Sequence, residues 1–294
     1  MNRELYRYVS FEDFINLVIN NKVRFVRPSS WKDEYEGYLF SHMETPEDVC
    51  YIVKKMYCMF DKLFKDDYNE ISDNYFKMWH SKWFTYAQCW SKHSETDAMW
   101  KCYSYGDRAI RLRTNEDKLL AHTKKNFKED EFVVYLKEVN YDLDKNFIKE
   151  QQIAQMKDSK LILEPYFHKR PAFEHEGEYR LLIVDNGWYS AAILSSKGVK
   201  MEIKEQVKGR SEEEIVNIIT ERICANRKNW NRPKESNVRI EDAGDISEFI
   251  EGVMVHPEAP EWYAIMVKEI IENVCKERKI NIKFDGQSEL YKLK

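Results

Sequence analysis

Two glutamates, Glu176 and Glu178, stand one residue apart just before an apolar run, Leu181-Leu182-Ile183-Val184. The run is short and partly β-branched, so it reads as a strand entering the interior. Side chains at i and i+2 share a strand face. Glu176, Glu178 and Arg180 are therefore expected in one row at the mouth of that strand. Carboxylates held close repel each other, so one is raised in pKa while the other accepts from a cation. Such a pair can stabilise positive charge or move a proton. The competing reading is a solvated Glu–Arg pair at a sheet end, which contributes little.

Two further strand-borne candidates precede the pair. Arg7 lies on an opening strand, Leu5 to Val9, and Ser91 ends a middle strand, Phe84 to Ser91. A helix over Asp97 to Tyr103 places Trp100 and Tyr103 on one side. Taken in order, these residues suit a pyridine dinucleotide such as NAD. Arg7 would hold the pyrophosphate, Ser91 would brace the site, and Trp100 or Tyr103 would stack on a ring. Glu178 would face the oxocarbenium charge that develops when the nicotinamide–ribose bond breaks. Glu176 would orient or deprotonate an acceptor. Each residue has a plainer role: Arg7 on a strand surface, Ser91 in a turn, Trp100 and Tyr103 in the core.

The elements that must position these residues follow from the local pattern. Ser10 and Asp13 form a helix start, and Phe11, Phe14, Ile15 and Val18 keep helical spacing. Lys22 to Arg27 reads as a strand. It leads into a loop, residues 28–37, that carries Trp31, Asp33, Glu34, Tyr35 and Glu36. Residues 46–83 read as helical. Arg108 to Arg113 is a half-buried strand, with Ile110 and Leu112 on one face and Arg111 and Arg113 on the other. Glu131 to Tyr141 is a strand and 144–168 a helix. Val199 to Ile203 reads as a strand, and Ser211 to Ala225 as a helix capped by Ser211 and Glu214. Arg227 to Lys234 is a compact basic and aromatic cluster. Val238 to Asp242, Ile250 to Val255 and Lys279 to Phe284 are strands, with an amphipathic helix over Pro260 to Glu277.

With 294 residues, 43% hydrophobic and 33% charged, the chain fits a soluble globular protein. A net charge of −4 gives no general attraction to nucleic acid. The six cysteines form no C-x-x-C pair and are expected to stay reduced. With no secretory n- and h-region at Met1-Asn2-Arg3-Glu4 and no long apolar run, a cytoplasmic location and no membrane partner are expected.

The chain resembles the bacterial family catalogued as domain of unknown function 2971. The likeness rests on Lys32-Asp33-Glu34-Tyr35-Glu36 and on Cys89-Trp90-Ser91 with Asp97, Trp100 and Tyr103. It continues in Ile110-Arg111-Leu112-Arg113-Thr114 and in Lys169, Phe173, Glu176, Glu178 and Arg180. Lys32 and Glu34 stand where that family usually has Asn and Pro, and Phe173 where it has Trp. The family name implies no activity. More distantly, the order Arg7, Ser91, Glu176-x-Glu178 is similar to that of Arg-Ser-Glu type ADP-ribosyltransferases. Their Ser-Thr-Ser triplet is absent here. That resemblance implies Arg7 as phosphate anchor, Ser91 as middle-strand serine, and Glu176 and Glu178 as the paired acids.

The sequence thus points to a single α+β domain over residues 1–294. It has a central, mostly antiparallel twisted sheet flanked by helices, ADP-ribosyltransferase-like, with 43–83 as a helical insertion and 205–235 as a helix plus basic loop. The functional expectation is an NAD-dependent ADP-ribosyltransferase-like enzyme, an effector such as a toxin or phage-defence protein, with NAD as substrate and an unnamed protein or nucleic-acid acceptor. Two alternatives stand beside it. One is a non-enzymatic nucleotide-, peptide- or nucleic-acid-binding module built around Trp100, Arg111 and Arg113. The other is a metal-dependent nuclease using Asp33, Glu36, Glu176 and Glu178.

Overall fold

The structure, a computed structural model, describes residues 3–31, 33, 35–37, 40, 42–60, 68–103, 106–143, 163–228 and 236–292. The chain opens with β1 (Glu4–Val9), α1 (Phe11–Val18) and β2 (Lys22–Val26). Ser10 caps α1, its hydroxyl accepting from the Asp13 N–H at 3.2 Å. Next come α2 (Pro46–Phe60), α3 (Tyr68–Phe84), β3 (Thr85–Ser91), α4 (Asp97–Tyr103), β4 (Ile110–Asn115), α5 (Glu116–Asn126) and β5 (Phe132–Glu138). Two 3-10 turns, Glu164–Phe167 and Pro171–Glu176, lead into β6 (Glu178–Asp185). The rest is α6 (Gly187–Gln206), α7 (Glu212–Lys228), β7 (Val238–Asp242), β8 (Gly252–Val255), α8 (Glu261–Arg278) and β9 (Lys283–Gln287).

All nine strands join one sheet in the order β5-β6-β3-β1-β4-β8-β9, with β2 joined to β3 and β7 to β2. Every pair is antiparallel except β8–β9. β6 takes one edge of β3 along its whole length, from Thr85↔Val184 to Ser91↔Glu178. The other edge of β3 is shared, by β1 at Tyr6↔Ser91 and by β2 at Val26↔Ala87. The sheet therefore forks, and β1 and β2 part from each other over β3.

Helices cover both faces. Strand alternation sends Leu182 and Val184 of β6 and Ala87 of β3 to one face, under α2, α3, α6 and α7. It sends Leu181 and Ile183 to the other face, where Leu5, Val9, Trp90, Ile110 and Leu112 meet α1, α5 and α8. On the first face, over β1 and β4, α4 closes a smaller cluster of Tyr6, Tyr8, Met99, Trp100 and Ala109. β6 is buried on both sides from Glu178 to Val184, which explains why its sequence is a continuous apolar run rather than an alternating one. No helix among the described residues is long and apolar enough to cross a membrane. All six cysteines are free thiols.

Several expected elements need correction. The stretch 199–203 is not a strand but the interior of α6. Among the described residues its buried positions include Ala192, Ser195, Ser196 and Val199, a helical spacing that mixes serines with apolar residues. Ser195 Oγ lies 2.9 Å from His80 Nε2 and Ser196 bonds to Asp73, so the polar positions are matched by α3. Hydrophobicity alone could not find that stripe. Residues 46–83 give two helices, with 61–67 outside the described residues. Of the helix expected over 144–168, residues 144–162 lie outside the described residues, and Glu164–Phe167 is a 3-10 turn with Pro165 in its first positions. The basic cluster is described only at Arg227 and Lys228, which end α7.

The two-sided burial of β6 has a direct consequence. Leu182→Ala, at a fully buried position, is expected to destabilise the fold by about 2–5 kcal/mol in denaturant unfolding. Val133→Ala, half-exposed on neighbouring β5 and on the same face, should change it by no more than about 0.5 kcal/mol.

Candidate functional site

The expected row of Glu176, Glu178 and Arg180 forms only in part. β6 begins at Glu178, because Gly177 adopts a left-handed conformation (φ 49°) that ends the preceding 3-10 turn. Glu176 therefore belongs to the turn. A Cβ at position 177 would lie 2.4 Å from the His93 ring, so only glycine fits there. Ser91 fastens this corner. Its hydroxyl donates to the Glu176 carbonyl at 2.7 Å and accepts from the His93 N–H at 3.0 Å. The Lys92 N–H donates to the Gly177 carbonyl at 2.8 Å. Ser91 is thus engaged by backbone on both sides.

Glu178 and Arg180 share a face with Ser91 and Cys89, their register partners on β3. Arg180 is fully buried. Its Nε donates to Glu178 Oε1 at 2.6 Å, and one terminal nitrogen donates to Glu36 Oε2 at 2.6 Å and to Glu178 Oε2 at 3.0 Å. The other terminal nitrogen donates to the Tyr166 carbonyl at 2.5 Å. The guanidinium lies 4.5 Å from the centre of the Trp31 ring, a cation–π contact.

Lys169 completes the cluster from the other side. Its ammonium lies 3.0 Å from Glu36 Oε1, 2.5 Å from Glu176 Oε2 and 3.2 Å from Glu178 Oε2. A lysine has three N–H donors, and here three carboxylates take them. The four acids considered for a metal ion are therefore divided. Glu36, Glu176 and Glu178 do converge, but on an ammonium, while Asp33 is held apart by Arg170 through two bonds of 3.0 and 3.2 Å.

Three carboxylates and two cations share a site from which water is nearly excluded. Burial pushes the Glu178 carboxyl up, but Arg180 and then Lys169 outweigh it and hold it at about 2. Glu36 goes the other way, its burial outweighing the pull of Arg180 and Lys169. Burial disfavours the Lys169 and Arg180 cations, yet Glu178 and Glu36 leave both held above their ordinary values. The Cys89 thiol is pushed well up, first by burial and then by Glu178, so it stays protonated.

The remaining expected site residues lie elsewhere. Arg7 alternates with Tyr6 and Tyr8 along β1, so it belongs to the sheet face opposite Glu178. Trp100 is fully buried; its ring meets Tyr8 edge-on at 4.8 Å and its Nε1 donates to Glu95 at 3.2 Å. Trp100 is core rather than an open stacking platform. Tyr103 ends α4, and its side chain lies outside what is described. Arg111 is buried, donating to the Ser94 carbonyl at 2.6 Å and resting 4.9 Å from the Tyr6 ring centre. Arg113 pairs with Asp285 at 3.1 Å. These arginines brace the sheet.

Two cavities flank the charged cluster, and Trp31 lines both. One, about 350 Å³, is walled by Trp31, Phe40, Trp83 and Tyr166, with Glu36 and Asn237 at its polar edge. The other, about 370 Å³, occupies the fork of the sheet and is lined by Arg7, Ser10, Arg24, Gln88 and Cys89. Both fall in the range of small-molecule sites. Asp107, His256 and Glu258 also lie close together. However, His256 Nδ1 accepts from the Glu258 N–H at 3.1 Å, so Nε2 carries the proton in the neutral ring and offers no lone pair to an ion. Sequence reasoning named Glu36 as a metal candidate and counted Glu36 and Lys169 among the residues of the family likeness, but gave neither Trp31 nor Lys169 a chemical role. The one available signal was two acids beside an aromatic in a short loop, to be matched by the consecutive cations Lys169 and Arg170.

Residues 99–181 match the model of a family described as a protein of unknown function (DUF2971). The match runs from within α4 to Leu181 in β6, and so includes Lys169, Glu176, Glu178 and Arg180. It supports the resemblance drawn from those residues. No curated protein and no solved structure matches the chain.

Two outcomes test the cluster. Arg180→Met leaves Glu178 and Glu36 with Lys169 alone and is expected to cost about 3–5 kcal/mol in denaturant unfolding. Glu178 has a folded-state value below its ordinary 4.5, so the stability it contributes is present above that pH and lost as pH falls toward about 2. Unfolding midpoints recorded from about pH 6 to about pH 3 should therefore fall more steeply for wild type than for Glu178→Gln. Parallel curves would remove Glu178 as the titrating group.

Proposed function

We propose that this protein is a nucleotide-binding module that holds its ligand on the two sides of Trp31. The observation that carries the reading is the shared wall: Trp31 lines both an aromatic cavity and the fork cavity with its two arginines. A nucleotide has two chemically unlike halves. Its planar base suits the aromatic cavity, where Trp31 and Trp83 line the wall and Asn237 stands at the polar edge. Its phosphates suit guanidinium groups, and Arg7 from β1 and Arg24 from β2 line the fork together with Ser10. Arg24 is half-exposed and pairs with Asp13 at 3.3 Å, a contact that a phosphate can displace at little cost.

A second reading keeps NAD as that nucleotide and adds cleavage of its nicotinamide–ribose bond, with transfer to a protein or nucleic-acid acceptor. It is favoured by the ionised state of Glu178, since a carboxylate that stabilises an oxocarbenium must carry charge. Against it, Arg180 and Lys169 occupy both Glu178 oxygens, and Arg7 lies on the other sheet face. Catalysis would require those cations to withdraw. The binding reading requires no such change.

Isothermal titration with ATP, ADP-ribose and NAD, set beside nicotinamide release from NAD, separates the two. On the binding reading at least one nucleotide binds, the matching nucleoside binds more weakly, and nicotinamide does not accumulate. Arg24→Gln should weaken the nucleotide by roughly tenfold, the loss of one charge-assisted bond, and leave the nucleoside unchanged. Nicotinamide release that disappears in Glu178→Gln would establish the second reading. Failure of all three nucleotides to bind at millimolar concentration would sink both.

A further inference from the structure

We infer that the base this protein binds is guanine rather than adenine, because Arg27 holds Asn237 so that its side chain can only donate to the aromatic cavity. The inference rests on the nucleotide reading and adds to it the identity of the base.

The two residues meet where β2 and β7 leave their ladder. The antiparallel register, from Lys22↔Asp242 to Val26↔Val238, continues for one more step, and the Arg27 N–H donates to the Asn237 carbonyl at 2.8 Å. The Arg27 side chain is buried. One terminal nitrogen donates to the Tyr86 hydroxyl at 2.8 Å and the other to Asn237 Oδ1 at 3.2 Å. The guanidinium also lies over the Tyr86 ring, 5.0 Å from its centre. Asn237 itself is exposed and lines the aromatic cavity.

An amide side chain carries one acceptor and one two-proton donor, and either end can face a ligand. Arg27 removes that choice. A guanidinium donates and never accepts, so the atom it meets is the amide oxygen. Oδ1 is thereby engaged, and Asn237 offers the cavity Nδ2 with its N–H donors. The two purines read such a group differently. An asparagine with both ends available pairs with adenine, accepting from N6 and donating to N7, whereas donor-only groups pair with O6 and N7 of guanine. Held by Arg27, Asn237 is of the second kind.

The rest of the wall fits the same base. Its acceptors are the carboxylates of Asp33 and Glu36. Arg170 Nε takes one position on Asp33 Oδ2, and Lys169 and Arg180 take one on each Glu36 oxygen. Each of those oxygens has a second lone pair. Guanine presents two adjacent donors, N1–H and the 2-amino group, which a carboxylate accepts together. Adenine presents a lone pair at N1, which a carboxylate repels. Lys82, paired with Glu44, is a further donor on the wall, and the Ser29 hydroxyl suits either base.

Titration of the protein with GTP, ITP and ATP under one set of conditions tests this. GTP is expected to bind about tenfold more tightly than ATP. ITP keeps O6, N7 and N1–H and lacks only the 2-amino group, so its affinity should fall between the two. Asn237→Asp, at an exposed position, turns the donor into an acceptor and should bring the GTP-to-ATP ratio to about one or reverse it. Arg27 acts through Asn237 as a positioning residue. Arg27→Gln, which can accept as well as donate, should lower the ratio, and Arg27→Lys, which only donates, should keep it; a loss of stability alone leaves a ratio of affinities unmoved. ATP binding as tightly as GTP to the wild type overturns the inference. So does ITP binding no tighter than ATP, or a preference that survives Asn237→Asp. Should the Arg27 variants fail to fold, the wild type and Asn237→Asp decide the matter. Binding without a guanine preference leaves the nucleotide reading standing, whereas absence of binding by all three nucleotides removes both.

Discussion

A guanidinium without water is the constraint from which the rest of this structure follows. Arg180 sits on a strand buried on both faces, and removing its charge from solvent costs several kcal/mol unless partners replace the lost hydration. The replacements come from three directions: Glu178 two residues back on the same strand, Glu36 from the segment after β2, and the Tyr166 carbonyl from a 3-10 turn. Two carboxylates around one arginine then require a second cation, and Lys169 supplies it. Each partner added to satisfy one charge creates the need for the next. The cluster ends where Glu176 reaches partial exposure and water takes over.

That chain of requirements ties together parts of the molecule far apart in sequence. The segment around Asp33 and Glu36 and the segment from Lys169 to Arg180 form two halves of one ion-pair lattice. Trp31 acts at their junction: one contact steadies Arg180, while the residue also walls the two cavities. The cluster and the cavities are therefore not separate features. Charge satisfaction decides where Trp31 and Glu36 lie, and Trp31 shapes the space on either side of it. The fork of the sheet supplies the second cavity for a topological reason. β3 has one free edge, and two strands share it, so a gap must open between them.

Much of this organisation was legible in the sequence. The strand at 181–184, the cap at Ser10, the helix from Asp97 to Tyr103 and the division of Ile110 and Leu112 from Arg111 and Arg113 all follow from short-range rules of spacing and capping. A mixed α+β fold with a mostly antiparallel sheet followed from them. The misreadings share a cause. α6 was missed because Ser195 and Ser196 stand among the buried positions of its described part, and their acceptability depends on His80 and Asp73 of another helix. Trp100 looked like a stacking surface because an aromatic ring does not state whether its face is covered.

The candidate site shows the same division. Residue types and spacing determined that Glu178 and Arg180 would share a strand face, since the period of a strand is fixed by backbone geometry. They also marked the acids of residues 28–37 as a candidate set. Only the tertiary structure decided that Gly177 breaks the row and turns Glu176 aside, that Arg7 falls on the opposite face, and that three carboxylates converge on Lys169 rather than on an ion. Those outcomes depend on register between strands and on contacts more than a hundred residues apart, as with Glu36 and Arg180. Local propensity carries no information about which distant charge will fill a given void. Burial does, because in a site without water every charge must find its partner inside the protein.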